Sequence, residues 1–158
     1  MSTCCFTGHR DLPPGSEKSI SAELDRALRA AYSHGYTDFW AGGALGFDTL
    51  AEEAVLRLRD EFPSVRLLLA LPCPQQADGW TRAARRHYDD IRLAADEVYY
   101  ASDTWNKFCM SVRNRHMVDR SDFVICYFSG EEGGTANTVK YALSLGRRVI
   151  NIAGQIDN

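Results

Sequence analysis

Apolar residues recur along this chain in two alternating rhythms. Short runs of strand length are separated by longer stretches whose apolar positions repeat at helical spacing. The strand-like runs are "STCCFTG" at 2–8, "YTDFWAG" at 36–42, "VRLLLALP" at 65–72, "DEVYYAS" at 96–102, "DFVICYF" at 122–128 and "RRVINIA" at 147–153. The third is almost continuously apolar, as expected of a strand covered on both faces. Between them, Ser16 is placed to cap a helix that runs to about His34, with Ile20, Leu24, Ala27, Leu28 and Ala31 on one face and Gly35 as its stop. A second helix starts at Phe47 with Leu50, Ala51, Ala54, Val55 and Leu58 along one stripe, and Pro63 closes it. Further helices are expected over about 75–95, 106–120 and 134–146. In the fourth, Cys109, Val112, His116 and Met117 form the expected inner face, with Arg113, Asn114, Arg115 and Arg120 around it.

Six strands alternating with five helices predict an α/β fold. The expected form is a three-layer sandwich, with right-handed crossovers, a mainly parallel sheet and helices on both faces. The length of 158 residues favours one domain over 1–158, with 154–158 as a frayed tail.

Composition narrows the classes. Hydrophobic residues make up 45% and charged residues 25%, the balance of a soluble globular chain. A formal net charge of −3 argues against strong non-specific binding to nucleic acid or acidic membranes. No apolar stretch approaches the roughly 18 residues of a membrane span, and "MSTCCFTGHR" does not read as a signal peptide. The five cysteines are odd in number and contain no CxxC, which points to reduced thiols in a cytoplasmic protein. The four histidines have no metal-ligand spacing to them, so no metal site is expected.

Candidate chemistry lies at the carboxyl ends of the strands, where open α/β sheets bind ligands. "TGHR" follows the first strand, "GGALGFD" the second, "LPCP" the third and "SGEEGGT" the fifth. Two of these are glycine turns leading straight into a helix. Glycine there permits close backbone approach, and a helix start suits phosphate. Neither is GxGxxG, and the second lacks the lysine of a P-loop. Thr135 and Thr138 add hydroxyls at the helix start, with N-capping as the alternative role. Asp48 either complements its helix dipole or holds a ribose hydroxyl. Glu131 and Glu132 would repel phosphate and are expected to face solvent or to contact something other than phosphate. Arg113 is a candidate phosphate ligand, His9 a hydrogen-bonding residue, and Trp80 and Tyr100 candidates to stack on a base.

Taken together, "FTGHR", "GGALGFDTLAEEAV", "LPCP", "RNRHMVDRSD" and "GGTANTVKYAL" resemble the YpsA-like branch of the SLOG superfamily, which joins DprA (Smf) with the LOG enzymes. The resemblance implies a Rossmann-like sheet that binds nucleotides or nucleotide-derived ligands. It implies a pocket drawn from Thr7, Gly8, His9, Arg10, Gly42, Gly43, Gly46, Asp48, Pro72, Arg113, Asn114, Gly133, Gly134, Thr135 and Thr138. LOG-type phosphoribohydrolases use an arginine in an "RK..M" helix and a glutamate in a "PGGxGTxxE" turn. Here Arg113 matches the arginine, Asn114 stands at the lysine position and Thr138 at the glutamate position. A threonine cannot replace a carboxylate in acid–base work at neutral pH. A relocated carboxylate, Asp48 or Glu132, would have to serve with Arg113.

Three readings follow. The first is binding or sensing of ADP-ribose, NAD or a phosphoribosyl compound, with phosphate on the helix starts at Gly46 and Gly133–Thr135, Arg10 and Arg113 neutralising charge, and no cofactor required. The second is N-glycosidic hydrolysis of a nucleoside monophosphate. The third is single-stranded DNA binding through "RAARRHYDDIR" and Arg147–Arg148, which the interspersed acids disfavour. A homodimer through a helix face is a further expectation.

Overall fold

In the computed structural model, which describes residues 2–156, the first strand of the sequence lies inside the sheet rather than at its edge. β1 (Thr3–Gly8) pairs in parallel with both β2 (Asp38–Ala41) and β5 (Phe123–Tyr127). β3 (Arg66–Leu71) and β4 (Glu97–Tyr100) extend one side, and β6 (Arg148–Asn151) extends the other. The order is β4-β3-β2-β1-β5-β6, with every pairing parallel. This is the parallel α/β sheet that the alternation predicts, in the Rossmann-like form that the resemblance implies.

The helices are α1 (Glu17–Ser33), α2 (Phe47–Glu61), α3 (Arg82–Ala94), α4 (Cys109–Asp119), α5 (Gly134–Ser144) and the single turn α6 (Ala153–Ile156). Strand side chains alternate between two cores. Cys4, Phe6, Phe39, Leu67 and Ile125 pack with Ile20, Leu24 and Leu28 of α1 and the apolar stripe of α2. On the opposite face Cys5, Trp40, Leu68 and Val124 pack with Met117 and Val118 of α4 and Ala142 of α5. All five cysteines are buried free thiols. Among the described residues, no helix is long and apolar enough to cross a membrane.

Three local expectations need correction. The third helix begins at Arg82, not near 75. Thr81 caps it by accepting the Ala84 N–H at 3.2 Å, while the residues before it form turns. Ser16 stands at the start of α1, but its hydroxyl donates to the Pro13 carbonyl and does not cap. The inner face of α4 is Cys109, Arg113, Met117 and Val118, and Val112 is 45% exposed. Arginine takes the inward place because polar partners wait for it across the sheet edge. Residues 154–156 belong to the α6 turn, and the rest of the expected frayed tail lies outside the described residues.

The chain winds outward from β1 to β4 and then returns to β5 on the other side of β1. That reversal between β1 and β5 is the topological switch point, and a crevice opens there at the carboxyl ends of the strands.

Candidate functional site

A cleft of about 240 Å³ occupies this crevice. Four segments build it: Thr7–Arg10 at the carboxyl end of β1, Ala44 and Asp48 from the turn into α2, Arg113 and Asn114 of α4, and Glu131–Thr135 into α5. His9 ties two of these together. Its Nε2 accepts the Ser129 N–H at 3.0 Å, and its ring packs against Tyr127 and Phe128. Nε2 is therefore an acceptor that anchors the turn after β5, the hydrogen-bonding role expected of His9.

The floor of the cleft is ionic. Arg113 is 3% exposed; its Nη1 donates to the Gly42 carbonyl and its Nε to Asn114 Oδ1 at 2.7 Å. Asp48 and Glu52, also buried, bracket the same turn. Asp48 Oδ2 accepts the Ala44 N–H at 3.2 Å, and Glu52 Oε2 accepts the Gly43 N–H at 2.9 Å. A Cβ built on Gly42 would stand 2.6 Å from Arg113 Nη1 and 2.9 Å from Asp48 Oδ2. Glycine is thus what leaves room for both the cation and the carboxylate beside the backbone.

One guanidinium balances two buried acids. Burial raises the Asp48 carboxyl to about 6, opposed by the Arg113 charge and the Ala44 N–H. Burial, then the Asp48 charge, lifts Glu52 well above the usual carboxylate range. Burial lowers Arg113, and Asp48 and Glu52 counter it.

These contacts divide the two glycine turns. The amides of Gly43 and Ala44 are taken by the chain's own carboxylates, and Phe47 N–H donates to the His9 carbonyl at 3.1 Å. The turn at 42–46 is therefore in part a folded support, with the amides of Gly43, Ala44 and Phe47 already bonded within the chain. The second turn differs. Gly133, at φ 141°, starts α5 without a side-chain cap, and a Cβ on Gly133 or Gly134 would meet nothing within 4 Å. Its helix start opens onto the cleft, next to the buried Thr135.

The profile of the family described as the YspA SLOG family matches residues 14–146. The chain belongs to this SLOG family. A UPF0398 protein of Bacillus thuringiensis (strain Al Hakam) is 28% identical over 169 residues, covering 100% of this chain and 87% of that protein. The uncharacterized SPbeta prophage-derived protein YoqJ of Bacillus subtilis is 27% identical over 116 residues, 66% of this chain and 68% of YoqJ. Among solved structures, DprA of Streptococcus pneumoniae superposes with a TM-score of 0.66 at 19% identity, over 93% of this chain and 48% of that one. DprA of Helicobacter pylori, described as binding single-stranded DNA, gives 0.64 at 21%, over 93% of this chain and 63% of that one. At these identities the likeness is one of fold, and this chain spans about half to two thirds of those proteins.

Ten of the expected SLOG pocket residues line the cleft: Thr7, Gly8, His9, Arg10, Asp48, Arg113, Asn114, Gly133, Gly134 and Thr135. Glu131 and Glu132 stand exposed at its rim. Gly42, Gly43 and Gly46 lie beneath as the support just described. Pro72 accepts from Ser102 N at 3.0 Å at the β3–β4 end and is not among the cleft residues. Thr138 is turned into its own helix, its hydroxyl donating to the Gly134 carbonyl at 2.7 Å, so it neither caps α5 nor lines the cleft. Trp80 packs edge-on against Tyr88, with ring centroids 5.2 Å apart, and Tyr100 packs against the core. On the basic α3, Arg92 pairs with Asp89 of the same helix, and Arg85 with Asp78 in the turn before it. Glu52 is the residue that sequence reading passed over. Its signal was a carboxylate one turn beyond Asp48, beside the inward positions Ala51 and Val55.

The raised Asp48 carboxyl has a stability signature. Its folded value of about 6 exceeds the ordinary 3.8, so its contribution is fully present below about pH 4 and lost as pH rises through about 6. At about 1.4 kcal/mol per unit this is roughly 3 kcal/mol. Asp48→Asn, compared with wild type by urea unfolding at pH 4.5 and 7.5, should flatten the fall in stability by a large part of that amount. An equal fall in both proteins would assign the titration elsewhere, first to Glu52.

Proposed function

We propose that the cleft binds or senses a nucleotide or nucleotide-derived ligand, of the ADP-ribose, NAD or phosphoribosyl class, in a cytoplasmic protein. The observation that carries this reading is a buried, hydrogen-bonded guanidinium on the cleft floor, next to an uncapped, glycine-rich helix start. A phosphate at the start of α5 would accept N–H groups and benefit from the helix dipole. Arg10 at the rim and Arg113 at the floor would balance its charge, and Asn114 and Asp48 would hold sugar hydroxyls.

Thermal melting of the protein with AMP, ADP, NAD and ADP-ribose tests the reading. A ligand at about a hundred times its Kd adds roughly 2.7 kcal/mol, on the order of 5–10 °C for a chain of this size. Gly134→Asp provides the control. There is room for the new side chain, and an acid suits the first helical turn, yet its charge would repel phosphate. The expected result is a shift in wild type and none in the variant, with equal melting points for the two ligand-free proteins. No shift with any of the four compounds would overturn the proposal.

Asp48 favours a second reading, hydrolysis of an N-glycosidic bond. A carboxyl near 6 inside the cleft has the acidity of a general acid–base group at neutral pH. Release of free base from a nucleoside monophosphate, lost in Asp48→Asn, would establish it. Single-stranded DNA binding rests here on fold likeness, and the acids paired with Arg85 and Arg92 of α3 oppose it.

A further inference from the structure

The cleft does not end at Gly134. Met110, Asn114 and Gly134 also line a second, larger groove of about 720 Å³ that runs between α4 and α5. We propose that this groove is a second phosphate subsite, and that the ligand is a dinucleotide: one nucleotide unit in the cleft, the linked unit in the groove. The proposal rests on the nucleotide-binding reading of the cleft and extends it.

Charge is the first argument. The chain carries more acids than bases, yet no Asp or Glu is among the groove-lining residues, while Lys107, Arg115 and Lys140 are. All three are exposed, and none has a carboxylate partner within ion-pair distance among the described residues. Elsewhere on this surface, arginines at 26, 29, 57, 59, 66, 85 and 92 are paired with acids. Arg82, Arg86, Arg120 and Arg148 also stand outside ion-pair distance of any carboxylate among the described residues, so what sets the groove apart is three such cations on one lining with no acid among them. Arg115 is also held in place. Its guanidinium lies 4.6 Å from the centroid of the Tyr141 ring, and the Tyr141 hydroxyl is fixed by donating to Asp119.

Size is the second argument. Small-molecule sites usually measure about 300–1,000 Å³. The cleft, at about 240 Å³, falls short of that range, and the groove, at about 720 Å³, lies within it. A phosphate and its sugar fill the first, and a further nucleoside needs the second. Spacing agrees. At 1.5 Å per residue, Lys140 lies about 9 Å along α5 from Gly134, and Arg115 about 9 Å along α4 from its first residue, Cys109. One phosphate at the α5 start cannot reach the far cations, whereas a linked second unit can. Asn137 and Ser111, on opposite walls, offer neutral hydrogen-bonding groups to it.

Titration calorimetry with four probes tests the proposal: AMP, NAD, a 5′-phosphorylated diadenylate joined by a phosphodiester, and a ten-nucleotide strand. Each is measured against wild type, Gly134→Asp, and the triple variant Lys107→Ala/Arg115→Ala/Lys140→Ala, whose exposed positions leave the core intact. One of the two dinucleotides should bind at least tenfold tighter than AMP, and which one does so identifies the linkage. The triple variant should remove that advantage and leave AMP affinity unchanged. Equal affinities for AMP and both dinucleotides, or a triple variant that behaves as wild type, would overturn the subsite while leaving the cleft standing. Loss of AMP and dinucleotide binding together in wild type would overturn both readings. A strand that binds tighter than either dinucleotide would replace the small ligand with a polymer and overturn the proposal.

Discussion

Arg113→Ala is expected to destabilise the protein by about 3–5 kcal/mol at neutral pH, a fall in Tm of roughly 10 °C or more. The arginine is buried, and removing it does more than delete two hydrogen bonds. The Gly42 carbonyl loses its donor, and Asp48 and Glu52 lose the cation that offsets their burial. Breaking a buried ionic cluster from one side costs more than the cluster contributes, because the remaining charge is stranded. The pH dependence follows from Asp48, whose carboxyl near 6 takes up its proton as pH falls. The deficit should therefore be smaller at pH 5 than at pH 7.5, and Asp48→Asn in the Arg113→Ala background should recover part of it. Thermal melting of wild type and the single and double variants at both pH values measures this. A deficit independent of pH and indifferent to Asp48→Asn would mean that packing, not charge, is what Arg113 supplies.

Gly46→Ala should be the most damaging of the glycine substitutions, at about 3 kcal/mol or more. Gly46 sits at φ 80° and ψ −122°, a conformation essentially reserved for glycine. An added Cβ would also stand 2.2 Å from the Arg10 carbonyl oxygen and 2.7 Å from that of His9. Those are backbone atoms, unable to rotate aside as a side chain would. They belong to the turn that carries Thr7–Arg10 into the cleft, and the His9 carbonyl holds the Phe47 N–H. Relief of the clash therefore separates β1 from the start of α2. Gly134→Ala is the matched control, since its Cβ would meet nothing within 4 Å. Urea unfolding of both variants decides the matter. Equal stabilities would show that the contact at Gly46 can relax.

The elements that sequence reading recovered are those whose cause is local. Six apolar runs of strand length became six strands, and the turns after β1, β2 and β5 contribute to the cleft, because both follow from short spacing and from the geometry of parallel sheets. The burial of Arg113 was not legible. Its choice over Val112 for the inner face depends on the Gly42 carbonyl, 71 positions away in sequence. Glu52 was hidden for the same reason: a glutamate in mid-helix reads as solvated unless the amide it accepts from is known. The first glycine turn looked like a phosphate cradle because composition cannot tell a free amide from one already bonded. The structure gives the amides of Gly43 and Ala44 to the chain's own carboxylates and leaves open space around Gly133 and Gly134.

The central place of β1 governs the order in which the sheet can be completed. Its partners on one side begin at Asp38, but the partner on its other side begins at Phe123. On the ribosome, the first strand therefore emerges and pairs with β2 long before β5 exists, and one flank of a highly apolar strand waits with unpaired amides and carbonyls. Closing that gap needs a contact between residues about 120 positions apart, the kind of non-local event that slows folding. Until it occurs, the nascent half-sheet presents the edge along which chains of this type aggregate.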